Sequence, residues 1–192
     1  MIFRIKKDKM LKHQRRFWDM PNRIVLLIGG YGSGKTYIGA LKSLYMSYLN
    51  APVPGMYISP SHQLATKTII ITLKELCNRA GIDYTYNQQR SEFIFHNWGG
   101  KIWLGSGDKP DSLRGPNIGW AVIDEPFIQK REVFEQMIAR VRHPEAKKSK
   151  IYLTGTPEQL NWGFTLSNDP DMDIGVIQAS TLDNPYLPDD YK

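Results

Sequence analysis

The residues Gly29-Gly30-Tyr31-Gly32-Ser33-Gly34-Lys35-Thr36 satisfy the spacing G-x-x-x-x-G-K-S/T. Glycines there leave room for backbone N–H groups to turn inward around phosphate oxygens, so Gly29, Gly30, Gly32, Ser33 and Gly34 form the candidate cradle. The positive end of a following helix would add to the attraction. Lys35 brings a point charge to the β- and γ-phosphates, and the Thr36 hydroxyl is a ligand for Mg2+. Such a loop binds but does not hydrolyse. The second component is the acid pair Asp124-Glu125 after the apolar run Trp120-Ala121-Val122-Ile123. Asp124 would hold Mg2+, directly or through water. Glu125 would orient or deprotonate an attacking water, a role that marks ATP hydrolysis of the helicase and motor type. The third is Leu153-Thr154-Gly155-Thr156-Pro157, where the hydroxyls of Thr154 and Thr156 are placed to meet a γ-phosphate or the attacking water.

These groups can cooperate only if strands carry them to one edge. The run 24–28 is short, apolar and β-branched, as a buried parallel strand requires. Residues 36–50 repeat apolar positions at helical spacing and stop at Asn50 and Pro52. The pattern predicts strands over 56–59, 120–124, 151–155 and 173–180. Helices are expected over 62–80, capped by Ser61 and ended by Gly81, and over about 130–141. Short strands at 82–86, 92–96 and 101–105 read as an antiparallel insert. Alternating strands and helices indicate a three-layer α/β fold with a mainly parallel sheet, in which strand tips present ligands. The whole of 1–192 reads as one domain: a basic segment over 1–23, a core over 24–180, and a tail over 181–192 that resembles the start of a linker.

Length and composition agree. A chain of 192 residues with 41% hydrophobic and 23% charged residues is an ordinary globular domain. No apolar run reaches membrane-spanning length, and the first residues lack the apolar stretch and cleavage site of a secretory signal. Cys77 has no partner for an internal disulfide, and the four histidines show no zinc spacing, which fits a reducing, cytoplasmic setting. The net charge of +6 favours polyanionic partners. It concentrates in residues 1–23 and in Lys147, Lys148 and Lys150, as solvated surface or as a contact for nucleic acid or another subunit.

The three components in this order resemble the ATPase domain of the large terminase subunit of tailed bacteriophages. The resemblance covers most of the chain. It includes LKHQRRFW (11–18), similar to the family's adenine-recognition segment, ISPSHQLA (58–65), SLRGPNIGWAVIDE (112–125), TGTP (154–157) and DNPYLP (183–188). It implies a RecA-like P-loop NTPase that hydrolyses ATP with Mg2+ and drives double-stranded DNA into a capsid. It further implies a homo-oligomeric ring, a portal protein and a small terminase subunit as partners, and the cytoplasm of an infected bacterial host as location. Gln14 would read the adenine. Lys35 and Thr36 would bind phosphate and metal, with Asp124 the metal-site acid and Glu125 the catalytic carboxylate. Thr154 and Thr156 would couple hydrolysis to motion. Arg114 matches an arginine that can reach a neighbouring subunit's nucleotide. The family also carries a C-terminal nuclease and a small lid; neither fits within this chain, so DNA cleavage is not expected of it. Two other readings stay open: one half of a RecA-like helicase or translocase, and a nucleotide-gated assembly module that hydrolyses weakly alone.

Overall fold

The structure, a computed structural model, describes residues 5–115, 117–157, 162–188 and 190. Arg4 of the basic segment, Pro116 of the SLRG stretch, and tail positions 189, 191 and 192 lie outside the described residues. Helix α1 (Lys12–Asp19) precedes strand β1 (Ile24–Gly29) and helix α2 (Lys35–Leu49). Then come β2 (Gly55–Ser59), α3 (His62–Lys67), α4 (Ile69–Ala80), β3 (Tyr84–Asn87), β4 (Glu92–Phe95) and β5 (Lys101–Ser106). Strand β6 (Trp120–Asp124), α5 (Arg131–Arg140), β7 (Lys150–Gly155), α6 (Trp162–Ser167) and β8 (Ile174–Ala179) follow.

All eight strands join one sheet in the order β3-β4-β5-β2-β6-β7-β1-β8. The run from β5 to β8 is parallel, and β3-β4 extends its edge antiparallel. Side chains alternate along each strand, so β1 sends Val25 and Leu27 to one face and Ile24 and Leu26 to the other. The first face packs under α1, α2 and α4, with Phe17, Ile38, Leu44, Leu73 and Trp120 in its core. The second packs against α5 and Phe127 through Ile58, Ile123, Leu153, Val133 and Met137. Gly55 lies beside Trp120; a Cβ there would stand 2.0 Å from the indole, so the missing side chain makes room for the ring.

Three local expectations change. The strand expected over 101–105 forms as β5 and pairs antiparallel with β4 as expected, but it also pairs parallel with β2, so it joins the insert to the main sheet. Hydrophobic alternation does not distinguish these two pairings. The expected helix over 62–80 breaks at Thr68, whose backbone leaves the helical region and whose hydroxyl donates to the Leu64 carbonyl at 2.9 Å. Both ends of that segment are as expected, with Ser61 accepting from Leu64 N–H and Gly81 left-handed at φ +62°. Lys150 is buried, unlike the exposed Lys147 and Lys148. Its amine donates to the carbonyls of Met20 and Pro21 just past α1, where a cation suits the negative end of the helix. Lys42 does the same for the Trp18 carbonyl at 2.8 Å. These two lysines lock the C-terminal end of α1 onto α2 and the sheet.

Candidate active site

Strand β7 lies between β1 and β6. Its register sets Thr154 beside Leu27 on one side and beside Asp124 on the other, so the tips of all three strands converge. The loop between β1 and α2 turns through Gly32 at φ +71° and Gly34 at φ +81°, conformations that side-chain-bearing residues rarely adopt. Gly34 also lies against Gln14; a Cβ would come within 2.6 Å of its amide nitrogen. The Lys35 amine curls back to the carbonyls of Gly29 and Gly30 at 2.8 and 2.9 Å. Ser33 Oγ donates to the Gly30 carbonyl at 2.8 Å and tightens the same turn.

The predicted acids stand opposite. Asp124 is buried; Thr154 Oγ1 donates to its Oδ1 at 2.9 Å, and Thr36 Oγ1 lies 3.5 Å from Oδ2. Burial pushes the Asp124 carboxyl up to about 6. The Thr154 hydrogen bond opposes the rise, the Glu125 charge adds to it, and Tyr57 and Lys35 resist it. Glu125 accepts from the Thr156 N–H at 2.8 Å and the Thr156 hydroxyl at 3.2 Å, and its carboxylate is 4.0 Å from the Lys35 amine. Burial holds the Lys35 amine below its usual range, while Glu125 and Asp124 pull it back up. The assembly is one amine, two carboxylates and three hydroxyls around a glycine loop. Such a set can neutralise phosphate charge and accept a proton from water.

Lys35, Thr36, Asp124, Glu125, Thr154 and Thr156 are therefore brought together with the loop glycines. Arg114 is not. It follows a tight turn after β5, is 63% exposed, and pairs with Asp111 at 3.1 Å. Strand β5 stands four strand spacings from β1, roughly 19 Å of sheet. Gln14 is buried, its Oε1 accepting from Leu11 N–H at 3.1 Å and its Nε2 donating to the Gly34 carbonyl at 3.2 Å. It grips the loop itself. Three residues at the site went unforeseen. His13 reaches the Ser33 carbonyl at 2.8 Å, and Asn184 reaches that of Gly32 at 2.6 Å. Asn184 lies in the tail expected to begin a linker; residues 181–183 form a turn capped by Ser180 and packed on Gly30. Gln129, which donates to the Asp124 carbonyl at 2.6 Å, also escaped notice. Single polar residues of this kind carry no spacing signal.

The strand order, with β7 between the loop strand and the acid strand, is that of the RecA-like P-loop fold. The chain belongs to the phage terminase large subunit family, whose model matches residues 21–192. It is 30% identical over 141 residues to the PBSX phage terminase large subunit of Bacillus subtilis (strain 168), covering 72% of this chain and 32% of that relative. Its fold resembles that of the large terminase of a thermophilic bacteriophage, solved with ATP-gamma-S. The TM-score is 0.78 at 13% identity, over 94% of this chain and 47% of that one. The ATPase domain of the Thermus phage P74-26 large terminase matches with a TM-score of 0.66 at 15% identity, over 89% and 81% of the two chains. This chain thus spans about a third of the PBSX relative and about half of the thermophilic-phage protein.

Proposed function

We propose that this chain is the ATP-hydrolysing engine of a DNA-packaging motor, working with Mg2+ and moving double-stranded DNA into a viral capsid. The observation that carries the reading is the convergence at three adjacent strand tips: Thr36 beside Asp124 at 3.5 Å and Lys35 beside Glu125 at 4.0 Å. The Thr36 hydroxyl and the Asp124 carboxylate are hard oxygen donors of the kind Mg2+ takes alongside phosphate and water. Mg2+, when bound, supplies charge neutralisation on the phosphates. The loop N–H groups and Lys35 hold the β- and γ-phosphates and orient the terminal one. Glu125 accepts the proton of the attacking water as oxygen bonds to the γ-phosphorus and ADP leaves. Its grip on Thr156 N–H and Oγ1 fixes the carboxylate before reaction. Because Thr154 and Thr156 bind the two acids, loss of the γ-phosphate would be felt in β7, which supports their role in coupling.

Family membership supports the wider assembly: a ring of copies on DNA, a portal protein and a small terminase subunit, in the cytoplasm of an infected bacterial host. Arg114 is exposed, pairs with Asp111 and follows β5, four strand spacings from β1, which favours action on a neighbour's nucleotide. The test is calorimetric titration with ATP and Mg2+ together with a phosphate-release assay. Wild type should bind and hydrolyse ATP, and Lys35→Ala should lose productive binding. Near-wild-type affinity in Lys35→Ala would remove the loop from the site.

A further inference from the structure

Three side chains from outside the phosphate loop donate to three consecutive carbonyls within it. Asn184 Nδ2 reaches Gly32 O at 2.6 Å, His13 Nε2 reaches Ser33 O at 2.8 Å, and Gln14 Nε2 reaches Gly34 O at 3.2 Å. A carbonyl only accepts, so His13 carries a proton on Nε2. In a planar trans peptide the carbonyl of one residue and the N–H of the next point opposite ways. Holding the Ser33 carbonyl toward α1 therefore turns the Gly34 N–H away from it, into the loop. The Gly34 carbonyl also accepts from Ile38 N–H at 3.1 Å, so Gln14 and the first turn of α2 together set the Lys35 N–H. The N–H of Ser33, opposite the carbonyl that Asn184 holds, closes on Gly30 O at 3.3 Å. Leu11 N–H occupies the Gln14 oxygen and fixes which end of the amide meets the loop. Lys42 and Lys150 pin the far end of α1, so the helix that carries His13 and Gln14 is itself anchored.

We propose that His13, Gln14 and Asn184 are positioning residues that clamp the phosphate loop's carbonyls from two sides: His13 and Gln14 aim the N–H groups of Gly34 and Lys35, and Asn184 holds the turn that Ser33 N–H closes on Gly30. One side is the N-terminal helix and the other is the segment that follows the last strand. The proposal rests on the loop being the phosphate site. It gives Gln14 a base-independent role in place of adenine reading. It also makes the segment after β8 part of the nucleotide site, so displacing that segment loosens the cradle.

The test is calorimetric titration of the whole chain with ADP, GDP and inorganic pyrophosphate, none of which turns over by γ-phosphate loss. Asn184→Ala and Gln14→Ala should each weaken all three ligands by the same factor, about three- to tenfold, the range for one lost hydrogen bond. The ADP-to-GDP ratio should not move. His13→Ala should behave likewise, and His13→Gln, which restores an N–H donor at similar reach, should recover most of the affinity. Should His13→Ala melt early, Asn184→Ala decides, because that residue lies on a peripheral turn. Unchanged affinity in Asn184→Ala and Gln14→Ala overturns the clamp while leaving the site intact. A Gln14→Ala effect confined to ADP overturns its part and restores base reading. A wild type that binds none of the three ligands sinks the phosphate site itself.

Discussion

Glu125 stands at φ +46° and ψ +56°, the left-handed region in which a side chain is disfavoured. Strain of this kind costs about 1–3 kcal/mol and persists where surrounding contacts impose it. Here the Glu125 N–H is held by the Thr154 carbonyl at 2.7 Å and the carboxylate by Thr156. The backbone turn aims the carboxylate across the strand tips toward Lys35. Glu125→Gln keeps the shape and removes the base. Nucleotide binding should survive, while single-turnover hydrolysis should slow by about 10²–10⁴; a rate within a few fold of wild type would place the base elsewhere. Asp124 offers a different measurement. Its folded carboxyl is raised from 3.8 to about 6, so between those values the folded chain binds more protons than the unfolded one. Its unfavourable contribution therefore appears as pH rises through that window and is complete near neutrality. Asp124→Asn should be more stable than wild type near pH 7 in chelator, by on the order of 1–3 kcal/mol, with the gap closing toward about pH 4. Thermal melts across pH check this, and a mutant less stable at every pH would contradict it.

The elements that hold these residues are joined by close fits. Strands β2 and β6 pair with Met56 opposite Ala121, which sets Gly55 beside the fully buried Trp120. Because the ring is enclosed, an added methyl must displace it or the backbone. Gly55→Ala should cost about 1–3 kcal/mol, or roughly 3–10 °C in Tm. Calorimetric melting of the two proteins measures it, and an unchanged Tm would mean that the indole has room to move. Helix α1 is a similar case. Its basic residues suggest a surface segment, yet His13, Gln14, Phe17 and Trp18 are buried, and the charges point outward on the other side.

Arg114 bears on the proposed assembly. It is exposed and follows β5, a strand four spacings from β1, and the proposed role is on the nucleotide of another copy. An arginine delivered by a neighbour is worth about 10³–10⁵ in rate. Specific activity should thus rise with protein concentration. Arg114→Ala and Glu125→Gln, each inactive alone, should regain hydrolysis when mixed, because some interfaces then join an intact Glu125 site to an intact Arg114. Absence of recovery in mixtures that light scattering shows to co-assemble would leave Arg114 with a local role.

The contiguous residues that meet at the candidate site were legible from the chain alone. The glycine loop, the apolar strand ending in Asp124-Glu125 and the Thr154–Thr156 turn announce themselves because short-range spacing and local backbone preference specify them. So did the alternation of strands and helices that makes a mainly parallel sheet, since buried strands and amphipathic helices have different periods. Strand order was not legible. That β7 enters between β1 and β6, bringing Thr154 onto Asp124, and that β5 pairs parallel with β2, depend on which crossovers the chain makes; those are settled by packing across the whole sheet. Nor was the grip on the loop by His13, 20 residues away, and by Asn184, 152 residues away. A lone polar side chain carries no periodic signal, and only the folded chain supplies the carbonyl it binds.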